Sequence, residues 1–326
     1  MTFSNLILSY SFYKWVGSII VGVKLLKISY FILWNISYRI REYFEIGIIR
    51  PHIGKWAVIT GGTDGIGKAY AEELAKRGFS ICLISRNIEK LNTVSKELEG
   101  NYIIETKSIN VDFTAGPEIY SEIAEELLKL EGGIGVLVNN VGMSYKYAEY
   151  FHAVPDGSNF MMNLINSNIT SCTMMMKIVL PYMVNKKGII INISSLLAVY
   201  PMPFLSTYAA CKVYVDYLSK AVQYEYKDSG VIIQSVLPGY VATKMSNRKP
   251  RLEVPSAKEF VSSSIKTIGY ESHTYGYIVH RMRGFLHEWL KSHMPANVNL
   301  AISGYIMRKN RDSYYKKQQK KSLVLE

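Results

Sequence analysis

Tyr208 and Lys212 lie four residues apart in STYAACK, residues 206–212, and this spacing puts both on one face if the segment is helical. A phenol and an ammonium on one helical face could be ordinary amphipathic surface. They could also form a proton donor, because a free phenol has a pKa of about 10 and a neighbouring cation lowers it. In that case the pair would perform general acid–base catalysis at neutral pH.

A glycine-rich segment, TGGTDGIG at residues 60–67, is the second candidate site. Gly61, Gly65 and Gly67 follow a short run of β-branched residues and precede a helical pattern. Glycines between a strand and a helix let the backbone approach a pyrophosphate, which binds at the helix N-terminus. The pattern alone is a weak indication. Its position after the first strand of a βαβ unit favours a dinucleotide site.

The end of the second predicted strand indicates which dinucleotide would bind. Sites that prefer NAD usually carry an acid about 20 residues after the glycine turn, where it binds the ribose 2′-hydroxyl. Here Ser85 stands in place of that acid, and Arg86 follows it. An arginine can pair with a 2′-phosphate. Arg86 could instead be an exposed loop residue, but the missing acid and the arginine together predict NADP(H).

The elements that position these residues follow an alternating pattern from residue 55 onward. Short apolar runs predict strands, and amphipathic segments between them predict helices, among them one around 159–186 and one at about 207–228. Strands that alternate with helices indicate a parallel sheet covered on both faces. We therefore expect an α/β fold of the Rossmann type, with a doubly wound parallel sheet, an N-terminal membrane segment and a C-terminal helical extension.

The first 45 residues differ in character from the rest of the chain. WVGSIIVGVKLLKISYFILW is about long enough to cross a bilayer, although Lys24 and Lys27 interrupt its middle. Its flanking aromatic residues suit a lipid headgroup boundary. A spanning helix and an interfacial helix both fit, and a buried helix of a soluble protein is the remaining alternative. We expect membrane attachment.

The net charge of +12 is concentrated at the two ends of the chain. A basic surface suits nucleic acid, anionic lipid or a polyanionic small molecule. The sequence has no zinc-finger, ribonucleoprotein or basic-zipper pattern, so we expect no nucleic acid partner. The C-terminal RKNRDSYYKKQQKK is interpreted as a solvated tail, with a lipid-headgroup contact as the alternative.

The cysteines and histidines indicate neither a disulfide framework nor a metal site. The three cysteines, at 82, 172 and 211, are widely spaced, which suits a reducing compartment. Three histidines recur every seven residues from His273, a helical separation of about 10 Å between neighbours. Because that separation is too large for a shared ion, we expect no metal.

Six motifs appear in an order that resembles the short-chain dehydrogenase/reductase family. They are TGGTDGIG, NNVG at 139–142, Asn168, NISS at 192–195, YAACK at 208–212 and LPG at 237–239. The resemblance implies that Tyr208 is the general acid or base. It also implies that Lys212 lowers the pKa of the phenol and holds the nicotinamide ribose. Ser195 would bind the substrate carbonyl, and Asn168 would position a water relay. The implied cofactor-binding residues are Gly61, Thr63, Asp64, Gly65, Ile66, Gly67, Ser85, Arg86, Asp112, Asn140, Tyr208, Lys212, Pro238 and Val241.

Longer segments, such as TDGIGKAYAEELAKRG and LPGYVATKM, resemble one membrane-associated branch of that family. It contains the 17β-hydroxysteroid dehydrogenases of types 3 and 12, of which type 12 is the 3-oxoacyl-CoA reductase of fatty-acid elongation, and the steroid dehydrogenases of nematodes are similar. The resemblance implies NADPH-dependent reduction of a long-chain 3-oxoacyl-CoA, or of a 17-keto steroid, at the endoplasmic reticulum membrane with the catalytic domain facing the cytosol. A catalytically idle membrane scaffold or lipid-binding protein is the alternative of another class.

The predicted organisation has three parts: an apolar membrane-anchoring segment at 1–50, an NADP-binding catalytic domain at 51–272, and a helical extension with a basic tail at 273–326. The expected partners are the lipid substrate and the membrane. The family resemblance also implies a homodimer or homotetramer, and the branch implies association with other elongation-cycle enzymes.

Overall fold

The structure is a computed structural model that describes residues 3–43, 53–184 and 186–325. The chain divides into two compact units, 1–48 and 49–326. The first unit holds helix α1 (Phe3–Tyr43), whose described side chains between residues 11 and 40 are nearly all exposed. Across the described ranges, no helix combines the length and the apolar character needed to cross a membrane.

The second unit is built on a parallel β-sheet. Its strands within the described residues are β1 (Trp56–Thr60), β2 (Ser80–Ser85), β3 (Thr106–Asn110), β4 (Ile134–Asn139), β5 (Ile189–Ile193), β6 (Ile232–Val236) and β7 (His273–Thr274). They pair in the order β3-β2-β1-β4-β5-β6-β7, and every pairing is parallel. Apolar residues fill both faces of β1, β4 and β5, as expected for strands that helices cover on both sides. The predicted doubly wound sheet is confirmed.

The helices lie between the strands and after them. They are α2 (Gly65–Ala75), α3 (Ile88–Asn101), α4 (Ile119–Leu128), α5 (Gly157–Ile165), α6 (Ser171–Met183), α7 (Ser206–Glu225), α8 (Ala257–Ser264), α9 (Ile278–His293) and α10 (Ala296–Leu325). Side chains cap several N-termini. Asp64 accepts a hydrogen bond from the amide of Gly65 at the start of α2, and Ser256 with Glu259 forms a capping box at the start of α8.

The helix predicted around 159–186 is present over residues 157–183 and contains one change in winding. A π-helical turn, Asn166–Thr170, separates α5 from α6. The side-chain amide of Asn168 donates to the carbonyl of Leu164 at 2.9 Å, so it supplies a donor where the regular backbone ladder is interrupted. Such turns occur mostly as single insertions in α-helices, frequently at functional sites. The predicted helix is confirmed, and its π-helical turn holds the residue expected to matter for chemistry.

The segment interpreted as a solvated tail belongs to α10, and part of it packs on the catalytic unit. Arg311 and Tyr315 both bind the carboxylate of Glu149, whose side chain is only 2% exposed. A buried carboxylate needs charged or donor partners, and these two residues provide them. The interpretation as a wholly solvated tail is wrong for these two residues. The proposed boundary between 272 and 273 separates segments of one compact unit and stays a prediction.

Candidate active site

The four residues expected to perform chemistry lie beyond the carboxyl ends of β4 and β5 and on the first turns of α7. In the sheet order, β1 and β4 are neighbours, so the direction of strand succession reverses between them. Open parallel sheets bind ligands at this point. Tyr208 and Lys212 share one face of α7, Ser195 follows β5, and Asn168 lies in the π-helical turn.

Tyr208 is the candidate proton donor, and its pKa departs from the expectation. Burial raises the pKa of the phenol to about 12, while a hydrogen bond with Ser195 acts in the opposite direction. Lys212 is not among the groups that shift it. The expected lowering of the phenol pKa by Lys212 is wrong in this structure because burial costs the phenolate more than its neighbours return. At neutral pH the side chain is a protonated acid.

Lys212 is itself buried, with 5% of its surface exposed. Its ammonium donates to the carbonyl of Ile193 at 3.1 Å and lies 5.7 Å from the centroid of the Tyr208 ring. Burial lowers the pKa of the ammonium to about 8, because a desolvated cation is costly. The side chain is thus still charged at neutral pH, and its charge lies beside the candidate acid.

Asn168 has one satisfied and one unsatisfied side-chain atom. Its amide nitrogen donates to the carbonyls of Leu164 and Met143, whereas its buried Oδ1 has no hydrogen-bond partner among the described residues. A methyl group placed on Gly142 would lie 2.6 Å from that Oδ1 and 3.4 Å from Nζ of Lys212. The oxygen and the ammonium therefore face the same small space, which Gly142 leaves open. Gly142 is the last residue of the NNVG motif, and the sequence alone indicated no role for it.

The glycine-rich turn is closely packed against its neighbours. A Cβ on Gly67 would overlap the carbonyl oxygen of Gly61 and the side-chain amide of Asn140. Asn140 donates from that amide to the carbonyls of Thr60 and Gly61, at 3.2 and 3.1 Å, and thereby joins the end of β4 to the turn. Asn140 therefore supports the glycine turn in addition to its predicted place at the cofactor. Ile66 packs on the core below the turn.

The end of β2 lies beside the turn, as the prediction of the cofactor site requires. The hydroxyls of Thr63 and Ser85 are 3.2 Å apart. Arg86 is 72% exposed and lies 3.8 Å from the carboxylate of Asp112, whose other oxygen accepts from the amide and hydroxyl of Thr114. The Arg86 guanidinium is thus held near the turn yet open to an anionic ligand.

The loop after β6 completes the cleft. The carbonyl of Pro238 accepts from the amide of Leu196, next to Ser195, and Val241 is buried. Thr243 contacts the turn, because a Cβ on Gly65 would lie 3.1 Å from its methyl group. The candidate residues lie at or after the carboxyl ends of β1 to β6, in the π-helical turn and on α7, and their roles in catalysis and cofactor binding stay predictions.

Two further residues at the cleft had no assigned role. Lys244 pairs with Asp64 at 2.8 Å and links the loop to the glycine turn, and its place inside LPGYVATKM was the available signal. Burial raises the pKa of Asp64, but Lys244 and the amide of Gly65 outweigh it and leave that pKa below its usual value. His280 of α9 lies against Gly239 and bonds to the carbonyl of Tyr240, which no local pattern indicates.

A sequence model of the family described as short chain dehydrogenase matches residues 55–253. The chain belongs to this family. The very-long-chain 3-oxoacyl-CoA reductase of Macaca fascicularis is 45% identical to it over 316 residues, 95% of this chain and 97% of that protein. The reductase of the same name from Bos taurus is 49% identical over 278 residues, 83% of this chain and 86% of that protein.

Among solved structures, a short-chain dehydrogenase from Sphingobium yanoikuyae in complex with NADPH is 28% identical to this chain, with a TM-score of 0.59. The match covers 65% of this chain and 83% of that one. The family resemblance inferred from the six motifs is confirmed.

The cleft of this short-chain dehydrogenase fits a phosphorylated dinucleotide. The closely packed glycine turn precedes the N-terminus of α2, and the exposed Arg86 lies at the end of β2. The unpartnered Oδ1 of Asn168 and the ammonium of Lys212 mark a polar space at the other end. Together the residues can hold an anionic group at one end and a proton donor at the other.

Proposed function

We propose that the protein reduces the 3-oxo group of long-chain and very-long-chain 3-oxoacyl-CoA to the 3-hydroxy form with NADPH, as a step of fatty-acid elongation. The observation that carries the proposal is the 45% identity, over 95% of the chain, to a protein named very-long-chain 3-oxoacyl-CoA reductase. The arrangement of Asn168, Ser195, Tyr208 and Lys212 supports a carbonyl reduction.

Tyr208 acts as the acid in this proposal. Its O–H transfers a proton to the 3-oxo oxygen as the carbonyl is reduced to an alcohol. NADPH, when bound, supplies the hydride to the carbonyl carbon. A phenol with a pKa of about 12 carries its proton throughout the physiological range, so the donor is loaded before each turnover. Ser195, whose hydroxyl opposes the rise in the pKa of the phenol, would orient the substrate oxygen toward it.

Lys212 and Asn168 restore the donor. The ammonium of Lys212 lies 5.7 Å from the centroid of the Tyr208 ring, close to the phenolate that proton transfer would leave. Lys212 and Oδ1 of Asn168 border one small space next to Gly142. A replacement proton would reach the phenolate through this space. Lys212 also holds the ribose of the cofactor.

The phosphorylated form of the cofactor is selected at the end of β2. Ser85 leaves room where an acid would repel the 2′-phosphate, and Arg86 pairs with that phosphate. Gly61, Gly65 and Gly67 admit the pyrophosphate to the start of α2, with Thr63, Asp64 and Ile66 in the same turn. Asp112 and Asn140 would lie at the adenine, and Pro238 and Val241 would also contact the cofactor.

We further propose attachment to the endoplasmic reticulum membrane through residues 1–50, with the catalytic unit on the cytosolic side. The exposed aromatic and aliphatic residues of α1, among them Phe12, Trp15 and Ile19, support attachment. Alkaline carbonate extraction of the full-length chain and of a form lacking those residues tests it. Complete release of the full-length protein would exclude a spanning helix. Assembly as a homodimer or homotetramer, and association with other elongation-cycle enzymes, remain expectations from the family.

The purified full-length protein with NADPH and a substrate panel tests the reaction. We expect reduction of 3-oxoacyl-CoA thioesters and product in the 3-hydroxy form. Efficient reduction of 17-keto steroids without activity on long 3-oxoacyl-CoA would replace the proposal with the steroid alternative. Absence of turnover on both classes, with intact NADPH binding, would favour the scaffold.

A further inference from the structure

Helices α9 and α10 are fixed to the catalytic unit by their inner faces. On α9, Nδ1 of His287 is 2.9 Å from the hydroxyl of Tyr200, and Arg281 forms a bidentate pair with Glu271. On α10, Arg311 binds Glu149. These partners lie in the loops after β4 and β5 and in the turn before β7. The two helices are therefore held in a defined orientation on the unit that carries the candidate site.

The outer faces of the same helices are apolar and exposed. On α9 the apolar outer residues are Met282, Leu286 and Trp289, exposed by 43% to 60%. On α10 they are Val298, Ile302, Tyr305 and Ile306, exposed by 39% to 68%. In each helix the residues recur at intervals of three and four, which places them along one side. We call these seven residues the outer apolar surface.

Basic side chains accompany the outer apolar surface. Lys291 of α9 and Arg308 and Lys309 of α10 are exposed. The sequence of α10 contains seven lysines and arginines but a single acid, Asp312. Apolar residues with Trp and Tyr, flanked by cations, are typical of helices that lie in the interface of an anionic membrane. The cores of protein–protein interfaces, by contrast, are depleted of lysine.

We propose that the outer apolar surface docks on an anionic lipid bilayer, as a second membrane contact separate from residues 1–50. The occupant is the lipid surface itself, chosen because the charge of the flanking residues complements anionic headgroups. The inner face of α10 buries Met307 in one cluster with Ala209, the residue after Tyr208. Only the thickness of one helix, about 10 Å, separates the docking surface from the start of the catalytic helix. If the proposed acyl-CoA reduction holds, a lipid substrate has a short path from the bilayer to the cleft.

The test uses the full-length protein in vesicles and a polarity-sensitive fluorophore on single introduced cysteines. The three native cysteines are buried, so labelling is confined to the introduced residue. Leu286→Cys and Tyr305→Cys probe the outer apolar surface. Leu128→Cys, at the end of α4 and 67% exposed, is the matched control. Vesicles of phosphatidylcholine, with or without phosphatidylserine, carry a spin-labelled lipid whose nitroxide quenches fluorophores inside the bilayer.

We expect both surface labels to be quenched by the spin-labelled lipid, more strongly with phosphatidylserine, and the control label to remain unquenched. Because the nitroxide quenches only labels that enter the bilayer, anchoring by residues 1–50 with the outer apolar surface in water would leave both labels unquenched. Labels at 286 and 305 that stay in water would overturn the proposal. Labels that leave water without lipid quenching would overturn it in favour of a second copy of the chain. Reductase activity of the labelled proteins, measured separately, reports on the proposed function whatever the quenching result.

Replacing Lys316 and Lys317 by glutamate separates charge from apolar contact. Both lysines are exposed, and neither belongs to the catalytic cleft. The double variant should lose the difference between the two vesicle compositions while its melting temperature stays unchanged. An unaltered dependence on phosphatidylserine would contradict the charge complementarity on which the choice of a membrane rests.

Discussion

Helix α7 carries two buried polar clusters one turn apart, and they differ in whether the buried charge has an oppositely charged partner. Lys212 is buried and has no carboxylate partner among the described residues, and nearby Asn168 keeps an unpaired oxygen. Asp216, equally buried, pairs with Lys220 at 2.7 Å and His273 at 2.9 Å. The pKa changes agree with this difference. Burial lowers the pKa of Lys212 to about 8. Burial alone would raise that of Asp216, but its bonds to His273 and Lys220 bring it to about 2.

The two clusters differ in whether the buried charge can change its protonation state. A buried charge whose partners are complete is held in one protonation state and stabilises the fold. A buried charge with incomplete partners keeps a pKa near the working pH and can respond to a ligand. The first cluster is therefore expected to control turnover and the second to control stability, and the substitutions below test that division.

The largest effect is expected from Tyr208→Phe, which removes the proton donor and retains the ring. Turnover should fall by about a hundredfold to ten-thousandfold, the usual contribution of a positioned acid, while NADPH affinity stays unchanged. The measurements are steady-state kinetics and cofactor titration. Tyr217→Phe, an exposed tyrosine of the same helix, is the matched control. Activity of the first variant within tenfold of wild type would refute Tyr208 as the acid.

Lys212→Ala should reduce both turnover and cofactor affinity, because it removes a charge beside Tyr208 and the proposed ribose contact. Lys220→Ala, two turns further along α7, is the control, since Lys220 contacts Asp216 and is partly exposed. We expect Lys220→Ala to leave both kinetic parameters near wild type. A change in only one of the two parameters for Lys212→Ala would show that the lysine has a single role.

A smaller effect is expected at Arg86, a charge that is exposed and only loosely paired. A charge-assisted hydrogen bond contributes about 1.5–3 kcal/mol, so Arg86→Ala should lower the preference for NADPH over NADH by about tenfold to a hundredfold. Adding Ser85→Asp should shift the preference further toward NADH. Lys129→Ala, an exposed cation far along the chain, serves as control. Unchanged discrimination in the double variant would mean that other residues bind the 2′-phosphate.

The smallest effects concern the pH dependence of stability. Burial lowers the pKa of His273, but its pairs with Asp216 and Glu288 outweigh burial and raise the pKa above the ordinary 6.5. The stability that His273 contributes is thus complete below pH 6.5 and lost as the pH rises through the folded-state pKa. In thermal melts from about pH 5 to 8, the stability difference between wild type and His273→Gln should shrink with rising pH.

The stability that His280 contributes should depend on pH in the opposite direction. Burial lowers its pKa to about 4, so its contribution is present above pH 6.5 and is lost as the pH falls toward 4. The difference between wild type and His280→Gln should therefore grow as the pH rises from about 5 to 7. If both variants changed with pH in the same direction, the assignment of a raised pKa to His273 and a lowered pKa to His280 would be wrong.

Local patterns in the sequence determined much of this protein. Alternating apolar runs and helical segments predicted the parallel sheet, since side-chain periodicity reflects burial directly. The spacing of Tyr208 and Lys212 placed both on one face of α7, because residues four apart are neighbours on any helix. The glycine turn and the pair Ser85–Arg86 were also recognised from residues that are close in the sequence. The structure brings them to one edge of the sheet.

Tertiary structure alone decided the rest, because those features depend on contacts between distant residues. The direction of the Tyr208 pKa follows from burial, which no i, i+4 spacing reveals. The π-helical turn at Asn168 involves the carbonyl of Met143, on a different loop. Arg311 binds Glu149 across 162 positions of chain, which turns part of an expected tail into a packed helix face. Charge and apolar character could be counted in the sequence, but which side of α10 they occupy was set only when that helix packed on the catalytic unit.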